Sequence, residues 1–405
     1  MEPRKTAWSI LCRVIQEGGY ANLLLRKLPE DSTREDRALV SEIVYGTLRN
    51  QTMLELQWKD LVRTSVRPKT AILLNLSVYQ LQYMSRIPAY AVINEAVRLA
   101  EKRDKGFVNA VLRAVSKRDP IQPQGEELEC LAIRTSHPLF LLKLWAKQYG
   151  METAAAIAQH DQLPSRVYGR LNTLRANKDD LNGVQFLEGD CFVCDGDLIH
   201  SSCFKEGKAL IQDRASQKIV PLLDPKPGMR VLDVCSAPGT KAQQMACLMN
   251  NEGRIDAYDC YPERVKLIDA LMERTGVSIV HSGVRDGTVP LEERSESYDR
   301  ILIDAPCSGL GDLSHKPEIR FHVTPESLDE LAALQKQLLD VNAPYLKKGG
   351  QMVYSTCTLN KKENESQIKA FLTRHEEFEL AEEHTVFPME ADSDGFYMAL
   401  LKKRL

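Results

Sequence analysis

Several common features are missing from this 405-residue sequence. No stretch approaches the run of about 20 apolar residues that spans a bilayer, so no membrane partner is expected. Met1 to Ile10 carries charge and Trp8 and lacks an apolar core followed by small residues, so no secretory signal is read there. Neither a repeat nor a low-complexity tract interrupts the chain, which argues against stacked repeats and long disordered tails. The G-x-G-x-x-G fingerprint is absent, which weakens a dinucleotide reading. Cys191-Phe192-Val193-Cys194 forms a C-x-x-C with Cys203 nearby. No second pair with suitable spacing completes four zinc ligands, so no metal is expected.

What remains is ordinary for a globular protein, 43% hydrophobic and 27% charged, and long enough for two to four domains. The ten cysteines are scattered, several inside apolar runs such as Val231 to Cys235. A chain this long does not need disulfide staples, so reduced cytoplasmic thiols are expected, which leaves room for a catalytic cysteine. The net charge of -3 hides an asymmetry. Residues 1–120 carry 20 Lys+Arg against 13 Asp+Glu, and the remainder 33 against 43. A basic front end on an acidic body suits a polyanion partner, although a merely solvated basic surface would look the same.

The first 120 residues read as helix throughout, with Thr33 opening one segment, Pro68 starting another and Pro88 ending it. Asp119 to Gly125 is a breaker cluster. Two helical patterns follow, Leu139 to Gln148 and Glu152 to Ala158, then strand-like pieces at Arg166–Leu171, Cys191–Val193 and Ala209–Gln212. From about Asp213, apolar strands alternate with helices. The strands are Arg230–Cys235, Arg254–Tyr258, Ser278–His281, Arg300–Ile303 and Gln351–Ser355, and the helices include Glu263–Arg274 and Leu328–Leu346. The expected fold is therefore multidomain: an all-α domain over 1–121, linker helices and a small α+β domain over 122–212, and a doubly wound parallel α/β domain over 213–405.

Ligands in such sheets bind beyond the carboxyl ends of the strands. The first strand ends in Asp233-Val234-Cys235-Ser236-Ala237-Pro238-Gly239-Thr240-Lys241, a loop that can hold a ligand against a helix amino terminus. Asp259 ends the second strand, where a carboxylate can take two ribose hydroxyls. Asp286 follows the third strand, placed to touch an adenine. Singly these acids could be solvated loop residues; in order, they fit a nucleoside cofactor lacking a pyrophosphate. The fourth strand ends in Asp304-Ala305-Pro306-Cys307 and the fifth in Ser355-Thr356-Cys357-Thr358. A buried cysteine is normally inert. Two at the mouth of one cleft beside a carboxylate suit a reaction that needs a thiolate. Methylation at carbon-5 of cytosine is such a reaction: addition of a thiolate at carbon-6 makes carbon-5 nucleophilic, an acid near the ring nitrogen stabilises the developing charge, and a second thiol can assist proton handling.

These segments resemble the motifs of the RNA 5-methylcytosine methyltransferases of the NOL/NOP2/Sun family. Leu210 to Gln217 resembles the lead-in to that catalytic domain, and Asp394 to Ala399 its closing strand. Arg37 to Gly46, Ile93 to Val97 and Phe107 to Arg113 resemble the NusB-type helical RNA-binding fold. Together they match the layout of the bacterial 16S rRNA members. The resemblance implies a Rossmann-like class I methyltransferase domain, S-adenosyl-L-methionine as cofactor, and RNA, 16S rRNA in particular, as partner, with no role for DNA. It implies a cofactor site of Cys235, Ser236, Ala237, Pro238, Gly239, Thr240, Lys241, Asp259, Arg264, Asp286 and Asp304. It further implies that Cys357 is the nucleophile, that Cys307 helps resolve the adduct, and that Asp304 lies between cofactor and cytosine.

The loop departs from the family pattern at Ser236 and at Thr240, where a second glycine is usual. His315 to Phe321 stands where the family shows Arg-Lys/His-Pro-Asp-Ile and a tryptophan, a stretch the cofactor does not require. Lys361-Lys362-Glu363-Asn364-Glu365 reads as a solvated helix start, and His137-Pro138 as a turn before a helix. Three alternatives stay open: a non-catalytic RNA-binding assembly or antitermination factor, a methyltransferase acting on a base amine, and a 5-methylcytosine methyltransferase acting on another RNA. The second usually shows a polar-Pro-Pro-aromatic motif after the fourth strand, where this chain has Pro306-Cys307.

Overall fold

A computed structural model of the protein describes residues 1–194, 198–291 and 295–405. The chain divides into two compact units, residues 1–164 with 313–323, and residues 165–312 with 324–405. The break at 164/165 falls inside the segment 122–212: its helices up to His160 group with the first unit, and its strands and the short helix Ser202–Lys205 with the second.

The first unit is helical: α1 (Pro3–Glu17), α2 (Ala21–Leu25), α3 (Arg34–Arg49), α4 (Gln51–Lys59), α5 (Pro68–Tyr83), α6 (Ala89–Leu99), α7 (Lys105–Val115), α8 (Glu127–Arg134), α9 (Leu139–Tyr149) and α10 (Met151–His160). Thr33 caps α3 by accepting the Asp36 amide, and Pro68 is the first residue of α5, where its missing N–H costs nothing. Helix α5 stops at Tyr83, short of Pro88, which instead precedes α6. Leu11, Val44, Leu48, Leu54, Leu74 and Leu112 bury the central seam. Gly46 lets α5 approach α3: a Cβ there would stand 1.9 Å from the Tyr79 ring. His137 precedes α9 as expected, buried and paired with Asp161 at 3.1 Å.

Residues 313–323 complete this unit. Glu318 and Arg320 are buried: Glu318 accepts the Ala21 amide at 2.9 Å, and Arg320 donates to the Thr135 carbonyl at 2.7 Å. Phe321 packs against the helical core. These side chains anchor the segment to the helical unit.

The second unit has two sheets. The small one is antiparallel, β1 (Tyr168–Leu171), β2 (Val184–Phe186), β3 (Cys191–Cys194) and β4 (Ala209–Ile211), in order β2-β3-β1-β4. The large one holds β5 (Arg230–Asp233), β6 (Arg254–Asp259), β7 (Val280–Val284), β8 (Tyr298–Asp304), β9 (Leu346–Thr356), β10 (Phe378–Val386) and β11 (Phe396–Lys403), in order β10-β11-β9-β8-β5-β6-β7. Helices α11 (Thr240–Leu248), α12 (Pro262–Thr275), α13 (Pro325–Asn342) and α14 (Glu365–Arg374) alternate with its strands.

Strands β5 to β9 pair in parallel, but β11 runs antiparallel to both β9 and β10, so the sheet is mixed. The helix expected to reach Leu346 ends at Asn342, because Pro344 takes the chain through one 3-10 turn into β9. From central β5 the chain moves outward through β6 and β7, then returns to β8 on the other side. The crevice beyond the carboxyl ends of β5 and β8 is therefore the switch point at which such sheets bind ligands.

Candidate functional site

Buried Val231, Leu232 and Asp233 hold β5 in the sheet, and the chain turns sharply beyond it. The Ser236 amide donates to Tyr258 O at 2.7 Å, tying the loop to β6, and the Gly239 amide closes back on Ser236 O at 2.7 Å. The Ala237–Pro238 peptide is cis. Gly239 adopts φ +102°, a backbone conformation that side-chain-bearing residues rarely take, so the turn itself calls for glycine. Thr240 is the first residue of α11, where no glycine is required. Gln243 N bonds to Gly239 O at 2.9 Å as that helix begins.

Asp259 ends β6 almost fully buried, 3% exposed. One oxygen accepts the Tyr261 amide at 3.2 Å, and the other lies 3.5 Å from Arg264, which also donates to Ala237 O. Arg264 thus bridges the first two strand-end loops. Asp286 is exposed and accepts the amide and hydroxyl of Thr288, which hold its carboxyl below the usual range. The Asp233 carboxyl is pushed up to about 7, chiefly by burial and further by the charge of Asp304, with the Ser236 hydroxyl opposing. Burial also pushes the Cys235 thiol up.

Cys307 and Cys357 meet across the ends of neighbouring β8 and β9, with sulfurs 3.3 Å apart. Both side chains keep some solvent exposure. The Cys307 thiol is held well above its ordinary range by the hydrogen bond to Cys357, by burial, and by the nearby charges of Cys357 and Glu363. Beside them, Asp304 accepts from Lys241 Nζ at 2.6 Å and from Ser355 Oγ at 2.8 Å. Burial works against the Lys241 ammonium, but Asp304 outweighs it, and the negative charge of Cys357 adds to the same effect. The arrangement brings two thiols, a carboxylate and a cation to one crevice.

Glu363 was missed. It is fully buried rather than solvated, and its carboxylate accepts from Ser308 N (2.9 Å), Ser308 Oγ (2.5 Å), Asn360 Nδ2 (3.0 Å) and Gln335 Nε2 (3.0 Å). Gln335, on α13, also donates to Pro306 O at 3.0 Å. This buried knot fixes the loop that carries Cys307. Only its place six residues after Cys357 could have drawn attention to it in the sequence.

Comparison with known proteins is consistent with this arrangement. Residues 220–402 match the family model described as 16S rRNA methyltransferase RsmB/F, and residues 1–117 match the NusB family. The chain is 35% identical to the probable ribosomal RNA small subunit methyltransferase B of Bacillus subtilis, over 99% of this chain and 98% of that protein. It is 32% identical to the ribosomal RNA small subunit methyltransferase B of Serratia proteamaculans, over 99% and 98%. Among solved structures, PH0851 superposes with a TM-score of 0.84 at 26% identity, covering 100% of this chain and 99% of that one. A methyltransferase homolog protein from Pyrococcus horikoshii gives 0.61 at 26%, covering 70% and 100%.

Proposed function

Because this chain belongs to the 16S rRNA methyltransferase RsmB/F family, we propose that it methylates carbon-5 of a cytosine in 16S rRNA, using S-adenosyl-L-methionine and a covalent adduct on Cys357. The observation that carries this reading is the contact of Cys307 and Cys357 sulfurs at 3.3 Å beside the Lys241–Asp304 pair. Neither a non-catalytic RNA-binding factor nor an amine methylase has use for two thiols in contact there.

The residues present fit the cofactor. A buried carboxylate at Asp259 suits vicinal ribose hydroxyls, and the loop Cys235 to Lys241 runs into the amino terminus of α11. Exposed Asp286 suits the adenine edge, although Thr288 already engages one of its oxygens. When bound, the cofactor supplies an electrophilic methyl group on a sulfonium.

The protein supplies the rest. Cys357 adds as thiolate to carbon-6 of the cytosine. Cys307, held as the thiol, stays beside it. Asp304 is placed to accept from the exocyclic amine of the ring, and the Lys241 ammonium balances the negative charge that the addition develops on the ring. After transfer a base removes the carbon-5 proton, Cys357 is expelled, and Cys307 assists that release. A stacked base cannot reach this crevice, so the target cytosine is single-stranded or flipped out. The basic residues 1–120 hold surrounding RNA through phosphates, and binding therefore weakens with salt.

Mapping 5-methylcytosine in 16S rRNA, with and without the protein, tests the proposal. A single cytosine losing its methyl group supports it. Methylation on an exocyclic amine, or none, refutes it.

A further inference from the structure

The strongest group outside this chemistry is a buried arginine on the small sheet. Arg170, in β1, is 1% exposed. Its Nε donates to Gln212 Oε1 at 2.5 Å, and its Nη2 donates to Gln243 Oε1 at 2.5 Å and to the Thr240 carbonyl at 3.0 Å. No carboxylate accepts from it in these three bonds. Burying a cation against neutral acceptors is costly, so its position calls for a use.

The surroundings show where that use lies. Gln243 and Gln244 are consecutive buried residues of α11, two and three residues past Lys241 at the end of the loop. Gln243 Nε2 donates to Asn172 Oδ1 at 2.9 Å, just past β1. Gln244 Oε1 accepts from Gln212 at 3.1 Å, just past β4, and Gln244 Nε2 donates to Gln217 O at 2.7 Å. The small sheet therefore grips the first turn of α11, and Arg170 reaches furthest, to the carbonyl of the residue that follows Gly239.

We infer that Arg170 is a positioning residue for the cofactor loop, and that the small sheet is a structural part of the cofactor site rather than a separable accessory. This inference rests on the proposed function in taking that loop to hold S-adenosyl-L-methionine. Arg170 acts through Thr240 and α11: it fixes the height of the helix amino terminus and hence the path of Gly239 and Lys241. Without it the loop samples positions that do not accept the cofactor, and apparent affinity falls by the lost fraction of competent conformers. Chemistry in the loaded enzyme is spared.

The test uses the full-length chain. S-adenosylhomocysteine is titrated calorimetrically into the wild type, Arg170→Met, Arg170→Lys and Gln243→Met, and methyl transfer is measured across cofactor concentrations at saturating rRNA. Loss of a buried charged hydrogen bond corresponds to a roughly tenfold to hundredfold weaker interaction. Arg170→Met should raise both the Kd and the cofactor KM by about tenfold or more, with kcat changed less than about twofold. Arg170→Lys, which keeps the charge, should recover part of the loss. A merely structural role would lower the melting temperature and leave the folded fraction with wild-type KM. A folded Arg170→Met with unchanged Kd overturns the inference. If Arg170→Met does not fold, Gln243→Met decides by the same titration: a raised Kd supports the inference and an unchanged one overturns it. If the wild type itself binds no S-adenosylhomocysteine, the proposed cofactor site fails instead.

Discussion

Replacing Glu363 by glutamine should damage the enzyme without touching any reacting group. Four donors converge on this carboxylate, two from Ser308 and one each from Asn360 and Gln335. Glutamine keeps the shape but turns one acceptor oxygen into an NH2, which then faces donors. At least one of Ser308 N, Ser308 Oγ or the side-chain amides is left buried and unpaired, at about 1–3 kcal/mol each. The expected destabilisation is about 2–4 kcal/mol by urea denaturation. The Cys307 loop also loses its clamp, and a displacement of about 1 Å near reacting atoms can cost about a hundredfold in rate. Methyl transfer at saturating substrates should thus fall by about tenfold to a hundredfold, while S-adenosylhomocysteine binding stays near wild type. Stability within about 0.5 kcal/mol of wild type, together with full turnover, would refute the claim that Glu363 organises this loop.

Two further outcomes follow from the same structure. Gly46→Ala, in the middle of α3, would ordinarily stabilise a helix by about 1 kcal/mol. Here the Cβ meets the Tyr79 ring, so melting should instead show a loss of about 1–3 kcal/mol; a gain would refute the close packing of α3 and α5. Burial pushes the Asp233 carboxyl up to about 7 in the folded protein, above the ordinary carboxylate range, so the folded protein binds the proton more tightly than the unfolded chain. Its contribution therefore declines as pH rises from about 4 to about 7 and is level above that. Asp233→Asn should flatten this part of the stability profile and gain up to about 4 kcal/mol at pH 8 in the ligand-free protein. Parallel profiles for the two proteins would contradict the burial argument.

Much of the site was legible because it sits where short apolar runs end. Asp233, Asp259, Asp304 and Cys357 each close or follow a strand that the sequence pattern marks, and sheet topology brings such ends together. The family resemblance carries the nucleophile assignment, which spacing alone leaves open. What stayed hidden depends on long-range packing. Glu363 stands among lysines and acids that look solvated, and only the return of the chain beside the Ser308 loop buries it. Arg170 and Gln243 are 73 residues apart, and neither signals the other. Strand β10 escaped notice because it is an edge strand with exposed Glu379, Glu382 and Glu383 in place of apolar alternation. Nothing in the sequence from His315 to Phe321 shows that Glu318 and Arg320 turn inward to the helical unit.

The most direct measurement compares Cys357→Ala and Cys307→Ala after incubation with rRNA and cofactor, scoring methyl transfer and denaturant-resistant protein–RNA complexes on one gel. The account predicts that Cys357→Ala forms neither product nor complex, and that Cys307→Ala accumulates a complex linked through Cys357. A trapped complex in Cys357→Ala, with none in Cys307→Ala, would contradict it.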